Sequence, residues 1–207
     1  MEIAVAKIAL IGASGNAGSR ILKELSDRGH QVTAIARNPE KIAALPRVVA
    51  VRGDAFDRNG LAALLTGHDA VISSIHFTAS DPDVLIAAVR TAGVRRYLVV
   101  GGAGSLEVAP GQRLIDQPDF PEAYKAEASK GAAFLDRLKT IDDLDWTFLS
   151  PSAMFVPGER TGRFRLGGDQ LLSSPAGSSI SFEDYAVALV DEIEKPAHIR
   201  RRFTVGY

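Results

Sequence analysis

Short apolar runs alternate with longer segments in which apolar residues recur at helical spacing. The runs are bounded by Gly, Pro, Asp and Asn, which is typical of buried strands. Because the predicted strands lack a polar face and alternate with helices, the pattern predicts an α/β fold, a doubly wound parallel sheet with helices on both faces. Six strands are predicted first, at Lys7–Ile11, Gln31–Ala36, Arg47–Asp54, Asp69–Ile75, Arg95–Gly102 and Asp145–Pro151.

Helices are predicted in the intervals between these strands. The segment after the second strand begins with Asn38 as a candidate N-cap and Pro39 at the first helical position, which favours a helix over residues 38–45. The other predicted helices cover residues 16–29, 58–67, 81–93 and 121–140.

The alternation stops after Pro151, where a segment rich in Gly, Ser and Pro begins. An earlier stretch, residues 103–120, is also long and rich in Gly and Pro, and we expect it to form a mobile lid. Beyond residue 160 the pattern predicts a short strand, an amphipathic helix and a final strand, at 163–168, 182–195 and 201–207.

Composition narrows the classes of protein to consider. The chain has 207 residues, 46% hydrophobic and 24% charged, with a net charge of −1, which gives no reason to expect nucleic acid or anionic membrane as a partner. It has no cysteine, so disulfides, thiolate metal sites and cysteine nucleophiles are excluded. Lys7 interrupts the N-terminal apolar run, and no run is long enough to span a membrane. We expect a cytoplasmic monomer or homodimer without a metal centre.

Three glycines follow the first predicted strand in the sequence GASGNAG. In this context the first glycine permits a tight turn, the second lets backbone approach a diphosphate, and the third lets the helix pack on the strand. The helix N-terminus then offers free N–H groups to the phosphates. The alternative is that these are only turn and packing glycines. The predicted dinucleotide contacts are Gly12, Ser14, Gly15, Asn16, Ala17 and Gly18.

The residue after the second strand usually decides which dinucleotide binds. An acid there favours NAD(H), because it bonds the ribose 2′-OH, whereas this chain has Arg37 at close to the expected spacing of about 20 residues. An arginine suits a 2′-phosphate, and Arg20 on the first helix is a second candidate contact. We therefore expect NADP(H) to be preferred and NAD(H) to be possible, against the alternative that Arg37 is an ordinary surface side chain.

Further candidates follow from the rule that ligands bind at the carboxyl ends of parallel strands. Asp54 has an alternative role as a helix cap, and His76, Ser105 and Tyr124 are weak candidates for a catalytic proton donor. Met154 and Phe155 are candidates for an apolar wall. The remaining predicted cofactor contacts are Asp54, Ala55 (with Phe56 beside them), Ser73, Ser74, Ile75, Gly101, Gly102 and Pro151, next to Ser152.

The sequences GASGNAG, ARNPEK and RGDAFD after the first three strands, with the late segment DLDWTFLSPSAMFVPGERTGRFRLGGDQLL, resemble the atypical short-chain dehydrogenase/reductase proteins. Within them they resemble the NAD(P)-binding, NmrA-like and NADH-flavin-reductase-like branch over nearly the whole chain. The resemblance implies a Rossmann-type fold, a bound NADP(H) or NAD(H), and a flavin or quinone reductase. It also implies that Arg37 meets the 2′-phosphate, Asp54 the adenine and Ser73–Ser74 the ribose. We expect one domain, with a cofactor-binding core at 1–150 and a small substrate-side cap at 151–207.

One departure from the wider family concerns its Tyr-x-x-x-Lys pair, in which the lysine activates a tyrosine as acid and base. Tyr97, Tyr124 and Tyr185 are followed four positions later by Gly101, Ala128 and Leu189, so no tyrosine satisfies the spacing. Carbonyl reduction needs a proton donor, whereas a flavin or quinone is already electrophilic and its reduced anion is delocalised.

Three hypotheses remain open from the sequence. The leading hypothesis is an NAD(P)H-dependent reductase of a flat acceptor such as a flavin or quinone. The second is a protein that senses NADP(H) without catalysis and reports through a partner, as NmrA-like relatives suggest. The third is a nucleotide-sugar epimerase or dehydratase, which usually carries the missing tyrosine–lysine pair and a larger C-terminal domain.

Overall fold

The computed structural model describes residues 5–207 as twelve strands and five α-helices. The strands are β1 Lys7–Ile11, β2 Gln31–Ala36, β3 Val48–Arg52, β4 Ala70–Ser73, β5 Arg96–Val100, β6 Glu107–Ala109, β7 Gln112–Arg113, β8 Asp145–Pro151, β9 Met154–Val156, β10 Arg165–Gly167, β11 Ser179–Ser181 and β12 Arg201–Gly206. The helices are α1 Asn16–Asp27, α2 Arg58–Leu65, α3 Pro82–Thr91, α4 Glu122–Lys139 and α5 Phe182–Glu194. Within residues 5–207, none of these helices is long and apolar enough to cross a membrane.

The main sheet has eight strands in the order β10-β12-β8-β5-β4-β1-β2-β3. All neighbours are parallel except β10, which pairs antiparallel with β12 at one edge. The strand order reverses between β1 and β4, so the carboxyl ends of these two strands flank a crevice. The prediction of a Rossmann-type, doubly wound parallel sheet is confirmed.

Two apolar clusters, one on each face of the sheet, hold the helices in place. One cluster buries Leu61 of α2, Leu85 of α3 and Phe134 of α4. The other buries Ile21 of α1 and Leu189 of α5. Because both faces are covered, the central strands are apolar on both sides, which explains the nearly continuous hydrophobic runs in the sequence.

The prediction of a helix over residues 38–45 is wrong. Only Pro39–Lys41 form a single 3₁₀ turn, and Ile42 is already in an extended conformation. Pro46 disfavours a helical conformation at Leu45, which leaves too few residues for a stable helix. The cap and first-turn residues therefore start a turn that the chain does not extend.

The region after Pro151 contributes strands β10 and β12 to the main sheet. β12 pairs with β8, while β9 and β11 form a separate two-stranded parallel sheet that the sequence did not predict. The segment 103–120 contains the β6–β7 hairpin, and Glu107 of that hairpin exchanges backbone hydrogen bonds with Asp169 and Leu171. This segment is therefore a structured hairpin anchored to the C-terminal region, which gives no support to the predicted mobile lid.

Candidate functional site

A cleft of about 170 Å³ lies at the carboxyl edge of the sheet, where the strand order reverses. We call it the glycine-loop cleft. The sequence did not single out five of its lining residues, Ile11, Ile35, Ala36, Gly53 and Ala79. Ten residues named from the sequence line it, namely Gly12, Ser14, Gly15, Arg37, Asp54, Ala55, Phe56, Ser74, Ile75 and His76.

The three motif glycines have different structural roles. Gly12 has a φ of +83°, and a Cβ added there would lie 2.1 Å from the carbonyl oxygen of Ser74. A Cβ on Gly18 would lie 2.1 Å from the carbonyl oxygen of Gly12, so both positions are fixed by the packing of the protein itself. A Cβ on Gly15 would make only an ordinary contact, 3.4 Å from the Gly12 carbonyl oxygen. The fold does not require glycine at position 15, which faces the cleft.

The N-terminus of α1 borders the same cleft. Its N-cap residue is Gly15, which has no side chain to bond the first-turn N–H groups, and the first turn contains no acidic residue. By contrast, α2, α3 and α5 are capped by the side chains of Asp57, Asp81 and Ser181. The helix therefore presents donors and a partial positive charge to an anion. Asn16 and Ala17 belong to this first turn and do not line the cleft.

Two arginines were predicted near the cofactor, and they differ in their partners. Arg37 is exposed on the cleft wall and forms no side-chain hydrogen bond or ion pair with any of residues 5–207. Arg20 donates to Glu183 at 3.0 Å and lies over the ring of Phe182, with its guanidinium carbon 5.7 Å from the ring centroid. Arg20 is therefore held by the protein, and Arg37 is the arginine available to a ligand.

The far end of the cleft is formed by the loop after β3. The Asp54 carboxylate accepts the backbone N–H of Phe56 at 3.0 Å, which fixes a local turn. Asp57, and not Asp54, caps α2 by accepting the N–H of Gly60 at 3.0 Å. Phe56 is 57% exposed and lines the cleft, so this end offers an aromatic residue beside a carboxylate.

Ser73 and Gly101 serve packing and do not face the cleft. Ser73 is buried, and its hydroxyl shares a 2.9 Å hydrogen bond with that of Tyr97. A Cβ on Gly101 would lie 2.4 Å from the ring of Phe148, so β5 and β8 require glycine there. Gly102 is less restricted, since its Cβ would lie 3.5 Å from Phe77. The expected roles of Ser73 at the ribose and of Gly101 beside a flat ring are therefore replaced by core packing.

The residues at the end of β8 and in β9 also divide between core and surface. Pro151 is buried in β8, and Ser152 is buried with its hydroxyl donating to Val205 at 3.1 Å. Phe155 packs on Phe182, with ring centroids 4.5 Å apart, and is therefore not the expected open apolar wall. Met154 remains 60% exposed.

Three of the four tyrosines have a raised pKa, and the fourth is exposed on α4. Burial raises the pKa of Tyr97 and Tyr185 well above the ordinary value. Burial also raises the pKa of Tyr207, whose hydroxyl donates to Asp184 at 2.8 Å. Tyr124 is 65% exposed on α4. The structure around the tyrosines therefore gives no sign of the tyrosine–lysine pair that the wider family uses.

The two other candidate proton donors have clear partners. The Ser105 hydroxyl accepts from the guanidinium of Arg202 at 3.1 Å, a bond that ties the 103–120 segment to β12. His76 lies on the cleft, its side chain is 85% exposed, and its Nδ1 is 3.3 Å from the carboxylate of Glu127 on α4. Glu127 could not be found from the sequence, because nothing in the local sequence indicates its contact with His76 across 51 positions.

Residues 157–163, which we call the strap, have the sequence PGERTGR. Their polar groups are bonded to α1, to α5 and to the residue before α5. Asp184, fully buried, accepts the Thr161 hydroxyl at 2.5 Å and the Gly162 N–H at 2.7 Å. The other contacts join Gly158 N–H to Glu183, the Ser181 hydroxyl to the Glu159 carbonyl, and Arg160 to Glu24.

The glycine-loop cleft fits the adenosine and diphosphate parts of a nicotinamide dinucleotide. Gly15 leaves open space beside the uncapped α1 N-terminus, which suits the diphosphate. Arg37 suits a 2′-phosphate, and Asp54 with Phe56 suits an adenine. The residues present are therefore compatible with this cofactor.

Comparison with known proteins agrees with this geometry. Residues 12–196 match the model of the NAD(P)H-binding family. A solved structure from Streptococcus pneumoniae TIGR4, provisionally called an NADH-flavin reductase, is 41% identical over 97% of this chain and 99% of that chain, with a TM-score of 0.81.

Two further solved structures carry other provisional names. One from Bacteroides thetaiotaomicron, called an epimerase, is 42% identical over 99% of this chain and 98% of that chain, with a TM-score of 0.93. One from Burkholderia pseudomallei, called an exported protein, is 48% identical over 98% of this chain and 100% of that chain, with a TM-score of 0.89.

Proposed function

Because this chain belongs to the NAD(P)H-binding family, an oxidoreductase-type group, we propose that it is a reductase that prefers NADPH and transfers hydride to a flat acceptor such as a flavin or quinone. The observation that carries the proposal is Arg37, an exposed arginine on the wall of the glycine-loop cleft whose side chain has no partner among residues 5–207. Arg37 is exposed and directly follows β2, the position in a dinucleotide-binding fold from which an arginine reaches the 2′-phosphate.

The two ends of the cleft bind different parts of the cofactor. The N-terminus of α1 and the Gly15 backbone hold the diphosphate, while Arg37 bonds the 2′-phosphate. Asp54 and Phe56 contact the adenine. Ser74 and Ile75, which follow β4, lie towards the ribose and the nicotinamide.

The chemical part of the proposal follows from the lack of an activated tyrosine. Bound NADPH supplies a hydride, and the chain supplies position and a partly dry surface. Packing does not require glycine at position 102, two residues after the end of β5. The absence of a side chain there leaves room for a flat ring. The name of the Streptococcus relative supports a flavin as one acceptor to test.

The proposal is tested by a steady-state screen of the purified protein. NADPH or NADH is mixed with flavin mononucleotide, riboflavin, a benzoquinone and a naphthoquinone, and cofactor oxidation is followed by absorbance. We expect turnover of at least one acceptor, with a higher kcat/KM for NADPH than for NADH. Binding of NADPH without reduction of any acceptor would contradict the reductase and favour the sensor.

A non-catalytic sensor of NADP(H) is the second candidate, and the missing Tyr-x-x-x-Lys pair favours it. A sensor must bind oxidised and reduced cofactor with different affinities, because only a differential affinity shifts a protein between two states. Equal affinity for NADP⁺ and NADPH would count against this role. An epimerase or dehydratase ranks last, because no tyrosine here is paired with a lysine at the required spacing.

A further inference from the structure

The carboxylate of Glu127 on α4 accepts four hydrogen bonds from the short turn that follows β4. Its carboxylate accepts the N–H of Phe77 at 2.7 Å, the N–H of Thr78 at 2.9 Å and the Thr78 hydroxyl at 2.8 Å. The fourth partner is Nδ1 of His76 at 3.3 Å. One side chain from a distant helix therefore organises the turn that forms one wall of the glycine-loop cleft.

The chemistry of the carboxylate fixes the state of the imidazole. Burial raises the pKa of Glu127, but the hydrogen bonds from Thr78 and Phe77 outweigh burial and leave that pKa below its ordinary value. An ionised carboxylate only accepts, so Nδ1 of His76 must donate to it. The second nitrogen, Nε2, forms no hydrogen bond with any of residues 5–207, and the side chain is 85% exposed on the cleft.

The backbone of this turn is held by the core. The Phe77 ring stacks near Phe148 with centroids 6.1 Å apart and meets Phe134 edge-on at 5.9 Å. A Cβ on Gly131 would lie 2.7 Å from the same ring, so α4 approaches the turn closely. His76 is thus attached to a fixed backbone and oriented by a fixed carboxylate, which is the arrangement that preorganises a general acid.

We propose that His76, oriented by Glu127, is the proton donor of the proposed reductase and takes the place of the missing tyrosine. The inference rests on the proposed function and narrows its acceptor to a quinone or other conjugated carbonyl. When a hydride and its two electrons reach such an acceptor, a negative charge develops on the carbonyl oxygen. The Nε2–H bond of protonated His76 breaks, an O–H bond forms on the acceptor, and neutral His76 keeps its Nδ1–H bond to Glu127. Solvent then returns the proton to Nε2.

The acceptor class follows from the need for this proton. Hydride addition to a flavin gives an anion that is stable in neutral water, so a positioned acid adds little there. A reduced carbonyl oxygen is a much stronger base and gains more from a donor in place. His76 is a catalytic residue in this account, and Glu127 is a positioning residue that acts through it.

The first test measures the tautomer and needs no cofactor or acceptor. Nitrogen-15 NMR of the protein at alkaline pH is expected to show neutral His76 protonated at Nδ1. Glu127→Gln is expected to shift His76 towards the Nε2–H form, because a carboxamide no longer demands a donor. The matched control is Glu122→Gln on the same helix, an exposed carboxylate paired with Lys125, which should change nothing. His76 protonated at Nε2 in the unmodified protein would overturn the inference.

The second test compares acceptors with the full enzyme and NADPH. His76→Gln is expected to lower kcat for a quinone by about 10²-fold, and to lower it far more than kcat for a flavin. Glu127→Gln should lower the quinone kcat less, with little change in KM for NADPH. Equal losses on both acceptors, or none on the quinone, would overturn the inference and leave the reductase standing. No reduction of any acceptor by the unmodified protein would overturn both.

Discussion

The glycine-loop cleft and the strap are both glycine-containing motifs next to α1, yet they use their polar groups in opposite ways. In the strap, the backbone or side chains of five consecutive residues, 158–162, bond to α1, to α5 or to Ser181. In the cleft, the α1 N-terminus has no side-chain cap, Arg37 has no partner among residues 5–207, and Gly15 is not required by packing. The polar groups of the strap are satisfied within the fold, whereas those of the cleft are the ones that we propose for a ligand.

The largest effect is expected for Asp184→Ala in the strap. The change removes a fully buried carboxylate that accepts from the Thr161 hydroxyl, the Gly162 N–H and the Tyr207 hydroxyl. Unfolding free energy should fall by about 3 kcal/mol, measured by chemical denaturation. Per folded molecule, the affinity for NADPH should be retained.

The matched control is Glu159→Ala, since the strap uses only the backbone carbonyl of this residue. It should change the unfolding free energy by less than about 0.5 kcal/mol. If Asp184→Ala were as mild as this control, or if it abolished NADPH binding in the folded protein, the separation between strap and cleft would be wrong.

The second-largest effect distinguishes the roles of Gly15 and Gly12. Gly15→Ala should leave the unfolding free energy nearly unchanged and weaken NADPH binding by about 30-fold, because the new methyl group occupies the approach of the diphosphate. Gly12→Ala should instead cost about 2 kcal/mol of stability, because it combines a positive φ with a clash at Ser74. Calorimetry and denaturation of both variants check the pair.

A control for adding a methyl group is Gly168→Ala, where the new Cβ has no neighbour within 4 Å. It should change neither stability nor affinity. Unchanged NADPH affinity in Gly15→Ala would show that the cleft does not receive the diphosphate at this loop.

The third effect concerns acid pH and the strap contact on α1. Burial raises the pKa of Glu24, but hydrogen bonds from Arg160 and Arg28 outweigh it and hold that pKa below its ordinary value of 4.5. The stabilisation from Glu24 is therefore present above the unfolded pKa and is lost as pH falls through the lower folded value. Glu24→Gln should cost about 1.5 kcal/mol at pH 7, and its difference from the unmodified protein should shrink below pH of about 4.5. Denaturation at several pH values checks this, and a difference independent of pH would contradict it.

The smallest effect is expected for Tyr124→Phe. This tyrosine is 65% exposed and has no lysine at the family spacing, so loss of its hydroxyl should change kcat on any acceptor by less than about twofold. A tenfold loss would make Tyr124 the acid and would remove the reason for assigning that role to His76.

The sequence predicted the strands well because burial on both faces makes them continuous apolar runs, as in β1, β2 and β8. It failed at residues 38–45, where Asn38 and Pro39 suit a helix start and the length available before Pro46 does not permit the helix. Cap residues report how an element begins and carry no information about its length.

For the site, the sequence identified which strand ends meet but not which side chains face the cleft. Ser73 and Ser74 are adjacent at the end of β4, yet only Ser74 lines the cleft, while Ser73 bonds to Tyr97 in the core. Glu127 was beyond reach, because its contact with His76 depends on how α4 packs over the turn after β4. Such contacts follow from tertiary packing and have no local pattern.

The most direct test of the account is calorimetric titration of the protein and its Arg37→Ala variant with NADPH and with NADH. We expect NADPH to bind at least about tenfold more tightly than NADH, and Arg37→Ala to remove that difference while leaving NADH affinity nearly unchanged. The control is Arg201→Ala, which changes an exposed arginine at the N-terminal end of β12. This variant should behave as the unmodified protein. Equal affinities for the two cofactors, or an unchanged preference in Arg37→Ala, would contradict the claim that the unpaired groups of the glycine-loop cleft are its ligand contacts.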